Sequence, residues 1–392
     1  MAFGIYIHWP FCGSKCPYCD FNSHVAEYID QPAWRHAYLA ELDHYANETS
    51  ARTVTSLFFG GGTPSLMAAD TAAAIIEAVR KRWKTAENQE ITAEANPASS
   101  DADSFQGFAD AGVNRLSLGV QSFDDAALEF LGRSHDAEQA IKAITKAKQI
   151  FPRLSFDLIY GLLEQSPAAW RAELNTALSL ADGHLSAYQL SIEPGTEFHR
   201  RGIQGIEPDD GAELFEMTHE ILGNAGLERY EISNHAQQGA ECSHNLVYWR
   251  GQDYLGIGPG AHGRLSTAAG DGYETETTLD LRAPEAWLQA VQKTGIGVHK
   301  RQKLSLSERR DELVLMGLRL TEGVSADRFA RQTGFALTDS INGDARDALI
   351  SENYLIWDGQ TLRASEAGLM RLDTLLAHLL TDAPDLDRGS AS

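Results

Sequence analysis

The sequence predicts an α/β protein built on an open, partial barrel of six βα units. An α+β extension and a winged-helix-like C-terminal domain are expected to follow. Up to about residue 195, short apolar runs alternate with amphipathic helical stretches, which is typical of parallel strands with helical crossovers. From about residue 300, three helical stretches precede two short strands, the order found in a winged helix. We therefore expect domains at 1–195, 196–299 and 300–382, and a disordered tail at 383–392.

The apolar runs are the predicted strands, and the amphipathic stretches between them are the predicted crossover helices. The strands are expected at residues 4–8, 56–59, 90–95, 115–120, 154–160 and 185–192. The helices are expected at residues 33–45, 71–83, 102–111, 136–150 and 167–180. Six units are too few to close an eight-stranded barrel. In such folds the chemistry lies at the carboxyl ends of the strands.

Three of the four cysteines lie in one short segment, at Cys12, Cys16 and Cys19. Thiolates at this density in a chain without a secretory signal usually bind a metal or a cluster. A four-iron cluster held by only three cysteine ligands would have one iron open to a small molecule. A zinc site with His8 or His24 as fourth ligand is an alternative. Core cysteines on one helix face are a weaker alternative, because proline and glycine interrupt the segment.

Nearly every predicted strand ends in polar residues or in a glycine-rich loop. These strand ends carry Gly60-Gly61-Gly62-Thr63-Pro64, Glu94, Gln121, Gln189, Ser191 and Glu193. Asp157 lies inside an apolar strand, where a charge is costly unless it is paired or used. Because the ends of parallel strands meet at one edge, the sequence predicts a ligand cavity there.

Composition limits the classes of partner and location. The chain has 55 acidic against 33 basic residues and a formal net charge of −22, which argues against a nucleic-acid partner. No window approaches 18 apolar residues, so no transmembrane segment is expected. The first residues have no signal-peptide pattern, which predicts a reducing, cytoplasmic location.

The predicted extension contains two unusual segments. One is His244-Asn245-Leu246-Val247-Tyr248-Trp249, and the other runs from Gly256 to Gly263 and includes a G-x-G-x-x-G pattern. Pro259 and the absence of a following amphipathic helix argue against a dinucleotide site. Residues 266–279 are rich in Gly, Thr and Glu, and we expect a hairpin or loop there.

The cysteine segment, the Gly-Gly-Gly-Thr-Pro loop and segments 119–123 and 157–162 resemble one known family in the same order. It is the family of oxygen-independent coproporphyrinogen III oxidase-like radical S-adenosylmethionine (SAM) proteins, and the resemblance covers nearly the whole chain. Within that family the sequence is most similar to heme chaperones of the HemW type.

The resemblance implies that Cys12, Cys16 and Cys19 hold a [4Fe–4S] cluster and that SAM chelates the fourth iron. It also implies a set of SAM or cluster contacts, each with a structural alternative such as packing in the core. These residues are Gly61, Gly62 and Thr63 for the methionyl end, Arg133 for the carboxylate, Glu94, Gln121 and Asp157 for the adenosine, and Tyr6 and Tyr18 beside the cluster loop.

Two features favour the chaperone subfamily over the oxidases. Phe21 occupies the position at which the oxidases carry a further cysteine, and the segment His244–Trp249 matches the chaperone signature. The implied function is binding of heme and its transfer to an acceptor hemoprotein that the sequence does not name. The alternative is a radical SAM oxidoreductase of porphyrin metabolism, which acts on coproporphyrinogen III and needs an electron donor to cleave SAM.

Heme requires an apolar slot, an axial ligand and cations for its propionates. In the chaperone signature His244 is the candidate axial ligand, Tyr248 and Trp249 are candidate ring contacts, and Arg250 is a candidate propionate partner. The next candidate ligands are Cys242 and His262. The alternative is that His244 and its neighbours are packing residues, because an isolated histidine is weak evidence for a ligand.

Overall fold

The computed structural model describes residues 2–99, 102–269 and 272–388. Its central feature is a mixed sheet of twelve strands, and a separate three-stranded sheet lies in the C-terminal region. The strands of the first half are β1 (Phe3–Trp9), β2 (Phe11–Cys12), β3 (His24–Val25), β4 (Thr53–Gly61), β5 (Lys84–Ala95), β6 (Arg115–Gln121), β7 (Arg153–Tyr160) and β8 (His184–Gln189). The helices of this half are α1 (Gln31–Thr49), α2 (Ala69–Arg82), α3 (Ala102–Ala111), α4 (Asp125–Phe130), α5 (Ala137–Ile150), α6 (Pro167–Leu180), α7 (Glu197–Arg200) and α8 (Pro208–Asn224).

The six predicted strands are present and lie side by side, all parallel, in the order β1-β4-β5-β6-β7-β8. Their side chains are buried almost continuously, as expected for strands covered on both faces. Asp157 interrupts this pattern in β7, where it is only partly buried. The five predicted helices are also present and connect these strands. This confirms the α/β class.

The extension does not form a separate layer, because its strands continue the same sheet at both edges. Its strands are β9 (Glu228–Glu231), β10 (Asn234–Ala236), β11 (Asp253–Ile257), β12 (His262–Ala269), β13 (Gly272–Asp280) and β14 (Val298–Lys303), and its helices are α9 (Ser243–Trp249) and α10 (Pro284–Thr294). β11 adds a seventh parallel strand beside β1, which the sequence analysis did not predict. The remaining strands are antiparallel, and the described sheet stays open. The hairpin expected at 266–279 is β12–β13, with residues 270 and 271 outside the described ranges.

The C-terminal region has its own hydrophobic core. Its elements are α11 (Leu306–Gly317), β15 (Val324–Ser325), α12 (Ala326–Thr333), α13 (Gly343–Ser351), β16 (Leu355–Trp357), β17 (Thr361–Ala364), α14 (Glu366–Leu369) and α15 (Leu372–Leu380). Three helices followed by a β16–β17 hairpin, with β15 on its edge, make a winged-helix arrangement.

The first part of the predicted disordered tail is packed against the protein. Leu386 is buried, and the Asp387 carboxylate accepts hydrogen bonds from the backbone N–H groups of Leu306 and Ser307 at the start of α11. A carboxylate is favourable at a helix N-terminus, which explains why these residues dock. Residues 389–392 of the predicted tail lie outside the described ranges.

A buried pair of carboxyl groups connects α1 to the extension. Glu41 accepts hydrogen bonds from the N–H of Gly297 at 2.6 Å and the N–H of Gly258 at 3.2 Å. Glu41 and Asp280 both accept from the Gly258 N–H and the Trp287 indole N–H. Burial raises the pKa of Glu41 to about 7 and raises that of Asp280 well above its usual value. The pair therefore retains a proton that the unfolded chain has released.

This pair should make stability depend on pH with a definite sign. From the ordinary carboxyl value of 4.5 up to about 7 the folded state binds more protons than the unfolded state. The pair's contribution to the free energy of unfolding therefore falls as pH rises, by up to about 1.4 kcal/mol per pH unit. Urea unfolding at several pH values should show a flatter profile for Glu41→Gln than for the exposed control Glu27→Gln. Identical slopes in the two variants would contradict this assignment.

Candidate functional site

The cysteine segment leaves β1 as an irregular loop at the carboxyl edge of the parallel strands. Cys12, Cys16 and Cys19 are free and half-buried, and all three face one cavity of about 400 Å³. A turn with a hydrogen bond from the Cys19 N–H to the Cys16 carbonyl shapes the loop. This conformation is not a helix, so the cysteines do not share a helix face.

The predicted strand-end residues converge on this cavity, which we call the strand-end cavity. Its lining includes the three cysteines and Tyr18, Gly61, Gly62, Thr63, Glu94, Gln121, Arg133 and Asp157. Ser117 also lines it and was missed by the sequence analysis. The signal was available, because Ser117 is a polar residue two positions from Gly119 on the same face of β6.

Glycine at the end of β4 allows the cysteine loop to approach. A Cβ at Gly62 would lie 2.6 Å from the Phe11 carbonyl oxygen, and Gly61 has φ +116°. The N–H groups of Gly62 and Thr63 donate to the carbonyls of Trp9 and Phe11, each at 2.7 Å. These two N–H groups already donate to the loop and cannot bind a ligand. The carbonyl oxygens of the segment can still accept hydrogen bonds from an ammonium group.

Hydrogen-bond donors surround two of the cysteine sulfurs. The Thr63 hydroxyl lies 3.4 Å from Cys12 Sγ, and Arg133 Nη1 lies 3.3 Å from Cys16 Sγ. Burial raises the pKa of the Cys12 and Cys19 thiols. Donors of this kind stabilise negative charge on sulfur and tune the potential of an iron–sulfur cluster.

Arg133 places a cation in the cavity without a carboxylate partner among the described residues. Its Nη2 donates to the Gly119 carbonyl at 2.9 Å, and its Nη1 also lies 3.4 Å from the Tyr18 hydroxyl. Its Nε is buried and has no hydrogen-bond partner in the described part of the chain. A buried guanidinium in this state fits a carboxylate ligand.

Two carboxyl groups, of Glu94 and Asp157, also line the cavity. Burial, followed by the charge of Asp157, raises the pKa of Glu94 to about 8, and burial raises that of Asp157 to about 6. The Glu94 carboxylate accepts from the Gly61 N–H at 3.2 Å. Beside them, Gln121 has φ +73°, a strained conformation for a residue other than glycine. Hydroxyl-rich or cationic ligands suit this set.

Tyr6 faces a second cavity, not the cluster loop. This second cavity, of about 600 Å³, shares Phe21, Gly61 and Glu94 with the strand-end cavity. Its other lining residues include Tyr6, His8, Asn22, Tyr248, Tyr254, His262 and Arg282. The Tyr6 hydroxyl is hydrogen-bonded to His8 Nδ1 at 3.0 Å. Of the two predicted tyrosines, only Tyr18 lies beside the cysteines.

Helix α9 contains the His244–Trp249 segment, and the side chain of Glu90 binds its N-terminus. The Glu90 carboxylate accepts from the backbone N–H groups of Ser243 and His244 and pairs with Arg153 Nη1 at 2.8 Å. Cys242 Sγ lies 3.5 Å from the same carboxylate, and burial raises the pKa of Cys242 to about 12. Glu90 was missed as a key residue, although a glutamate inside a strand was the available signal.

His244 has no free ring nitrogen in this arrangement. Its Nδ1 is hydrogen-bonded to the Ser56 hydroxyl at 2.9 Å and its Nε2 to the Tyr248 hydroxyl at 2.8 Å. His244 is 1% exposed, and burial lowers its pKa to about 3. The described geometry therefore does not support His244 as an axial ligand, although Tyr248 does line the second cavity.

Trp249 and Arg250 point towards the C-terminal region. Arg319 lies over the Trp249 ring, 4.5 Å from its centroid, and Arg250 forms a bidentate ion pair with Glu322 at 2.7 and 2.8 Å. Neither residue lines the strand-end cavity or the second cavity. Both side chains thus connect α9 to the C-terminal region, and their roles in heme stacking and propionate binding stay predictions.

Comparison with known proteins agrees with these features. The Radical SAM superfamily profile matches residues 6–177, and the HemN C-terminal domain profile matches residues 304–371. Heme chaperone HemW from Haemophilus influenzae is 37% identical over 96% of this chain and 98% of its own length. HemW from Escherichia coli is 36% identical over the same shares.

The chain belongs to the HemW family of radical SAM proteins. Radical S-adenosyl methionine domain-containing protein 1 of Bos taurus, a mitochondrial protein, is also 37% identical, over 96% of this chain and 87% of that protein. Coproporphyrinogen III oxidase from Escherichia coli shares the fold, with a TM-score of 0.78 at 21% identity over 95% of this chain and 89% of that chain.

Membership in the radical SAM superfamily implies an iron–sulfur cluster and SAM, and the cavity residues fit both. Three thiols without disulfide partners face the cavity, and a carboxylate-free arginine lies beside them. Within the described ranges, no group of three or more His, Cys, Asp or Glu side chains, the three thiols included, has the spacing to hold a single metal ion. Also within those ranges, no helix combines the length and apolarity needed to cross a bilayer.

Each cysteine of the HemW-family loop should be required for iron. Anaerobically reconstituted protein should be brown and contain about four irons per chain. Cys12→Ala, Cys16→Ala and Cys19→Ala should each remove the colour and most of the iron, because each thiolate is a separate ligand. Iron analysis and visible absorption measure this. Cys242→Ala is the control and should retain iron, because Cys242 is buried at the start of α9 and lines neither cavity. Stoichiometric zinc without visible absorption would contradict the assignment.

Proposed function

We propose that the protein binds heme and delivers it to an acceptor hemoprotein, while Cys12, Cys16 and Cys19 hold a [4Fe–4S] cluster with SAM at its open iron. The observation that carries the proposal is the near full-length similarity to proteins named heme chaperone HemW. The second cavity supports it, because it offers room for a large ligand directly beside the strand-end cavity.

In this proposal the strand-end residues bind and orient SAM. Arg133 pairs with the carboxylate of SAM, and carbonyl oxygens of the Gly61–Gly62 segment accept from its ammonium. Glu94, Gln121 and Asp157 hold the ribose and adenine. Cluster and SAM together supply one-electron chemistry when both are bound and an electron donor is present.

Phe21 favours a chaperone over an oxidase. Its ring is 61% exposed and lies on the shared rim of both cavities. The oxidases of the wider family carry a cysteine at this position, and a phenyl ring cannot take the place of that thiol. An exposed aromatic face is instead suited to stacking on a porphyrin.

Heme binding without porphyrinogen turnover is the expected behaviour. Titration of the reconstituted protein with hemin should saturate at about one equivalent, and an apoprotein such as apomyoglobin should then withdraw the heme. Phe21→Ala should weaken binding about threefold to tenfold through lost stacking. The control Tyr28→Ala removes a side chain that is 82% exposed, lies a few residues beyond β3 and lines neither cavity, and should leave affinity unchanged.

The competing function is a radical SAM oxidoreductase that acts on coproporphyrinogen III. The decisive assay incubates the reduced protein with SAM and coproporphyrinogen III and follows the porphyrin products by chromatography. Sustained formation of protoporphyrinogen IX without measurable heme binding would overturn the proposal in favour of this enzyme.

A further inference from the structure

The second cavity combines a large volume with aromatic walls. Its about 600 Å³ lies within the range of small-molecule and cofactor sites. Tyr6, Phe21, Tyr248 and Tyr254 contribute rings to its lining. Such walls suit a flat, largely apolar ligand better than a small polar metabolite.

Only one of the two histidines that line this cavity is available to a metal. His8 is hydrogen-bonded through Nδ1 to the Tyr6 hydroxyl and through Nε2 to the Asn22 carbonyl at 2.9 Å. The exposed ring of His262 forms no side-chain hydrogen bond or ion pair among the described residues. An imidazole whose ring nitrogens have no partner in the protein can coordinate a metal.

Arg282 also lines this cavity and has no carboxylate partner among the described residues. Arg264 pairs with Glu312 at 2.7 Å, whereas Arg282 is exposed and forms no ion pair with any described residue. The chain has a net charge of −22 and repels anions as a whole, so an unpaired arginine at a cavity is a local site that attracts anionic groups. Carboxylates on a flat ligand are therefore the groups that Arg282 would recognise.

The glycine-rich segment fixes His262 and Arg282 against the cluster loop. A Cβ at Gly256 would lie 2.1 Å from the His262 carbonyl oxygen, and a Cβ at Gly260 would lie 2.7 Å from Asn22 Nδ2. Asn22 Nδ2 donates to the carbonyls of Pro259 and Arg282, each at 2.9 Å. The glycines of this G-x-G-x-x-G segment thus serve close packing, which explains the pattern without a dinucleotide.

We propose that the second cavity is the heme site, with His262 as an axial ligand and Arg282 on a propionate. This assignment rests on the proposed heme function and specifies its location. The heme would lie beside the strand-end cavity, with Phe21 on the rim between the two. Tyr248 would contact the heme, whereas His244 would support Tyr248 through their 2.8 Å hydrogen bond.

The test is a hemin titration of the reconstituted full-length protein, followed by absorption and EPR spectroscopy. His262→Ala should lose the axial-imidazole spectrum and bind hemin at least about tenfold more weakly. Added imidazole should restore that spectrum, a rescue that a purely structural role would not give. His299→Ala is the control, because His299 is also exposed but lines neither cavity.

Arg282→Gln provides a second arm that does not touch the iron. It should weaken hemin about threefold to thirtyfold through loss of a charged hydrogen bond and leave the axial-ligand spectrum unchanged. The exposed Arg171→Gln serves as control and should bind hemin normally. Iron content and far-UV circular dichroism show that each variant is folded and reconstituted.

The outcomes separate this assignment from the proposed function. Heme binding by the unchanged protein with an identical spectrum and affinity in His262→Ala would overturn the site and leave the chaperone function standing. An axial-imidazole spectrum lost in His244→Phe but kept in His262→Ala would also overturn it. Failure of the unchanged protein to bind heme would overturn the proposed function and this assignment together.

Discussion

The contact between the cysteine loop and the glycine-rich end of β4 is the constraint on which the rest of the site depends. Two backbone hydrogen bonds of 2.7 Å, from Gly62 to Trp9 and from Thr63 to Phe11, hold the loop at the strand ends. Any side chain at Gly62 would push the loop away, because its Cβ would already overlap the Phe11 carbonyl. The position of the three thiols relative to Arg133 and the buried carboxyl groups follows from this contact.

The arginines and histidines discussed above differ in whether they have partners within the protein. Arg153 is neutralised by Glu90, and together they fix the start of α9. Arg133 lies beside sulfur and lacks a carboxylate partner within the described residues. Histidines divide in the same way, since His244 uses both ring nitrogens within the protein and His262 uses neither with any described residue. Arg133 lines the strand-end cavity and His262 lines the second cavity.

Local patterns were sufficient to predict the six parallel strands, their helices and the strand-end residues. Buried parallel strands are continuous apolar runs, and the chemistry of the fold lies where they end. The seventh strand, β11, was missed because its pairing with β1 joins residues about 250 positions apart. The hydrogen bonding of His244 could not be predicted either, because its partner Ser56 is 188 residues away in the sequence. A motif identifies residues, but the fold determines which atoms remain free.

The central claim is that the three cysteines hold a [4Fe–4S] cluster whose open iron binds SAM. EPR of the reduced, reconstituted protein, with and without saturating SAM, tests it most directly. We predict the signal of a reduced [4Fe–4S] cluster and a change in its g values when SAM is added, because SAM enters the coordination of one iron. A [4Fe–4S] signal that saturating SAM leaves unchanged, or the absence of such a signal in iron-loaded protein, would contradict the account.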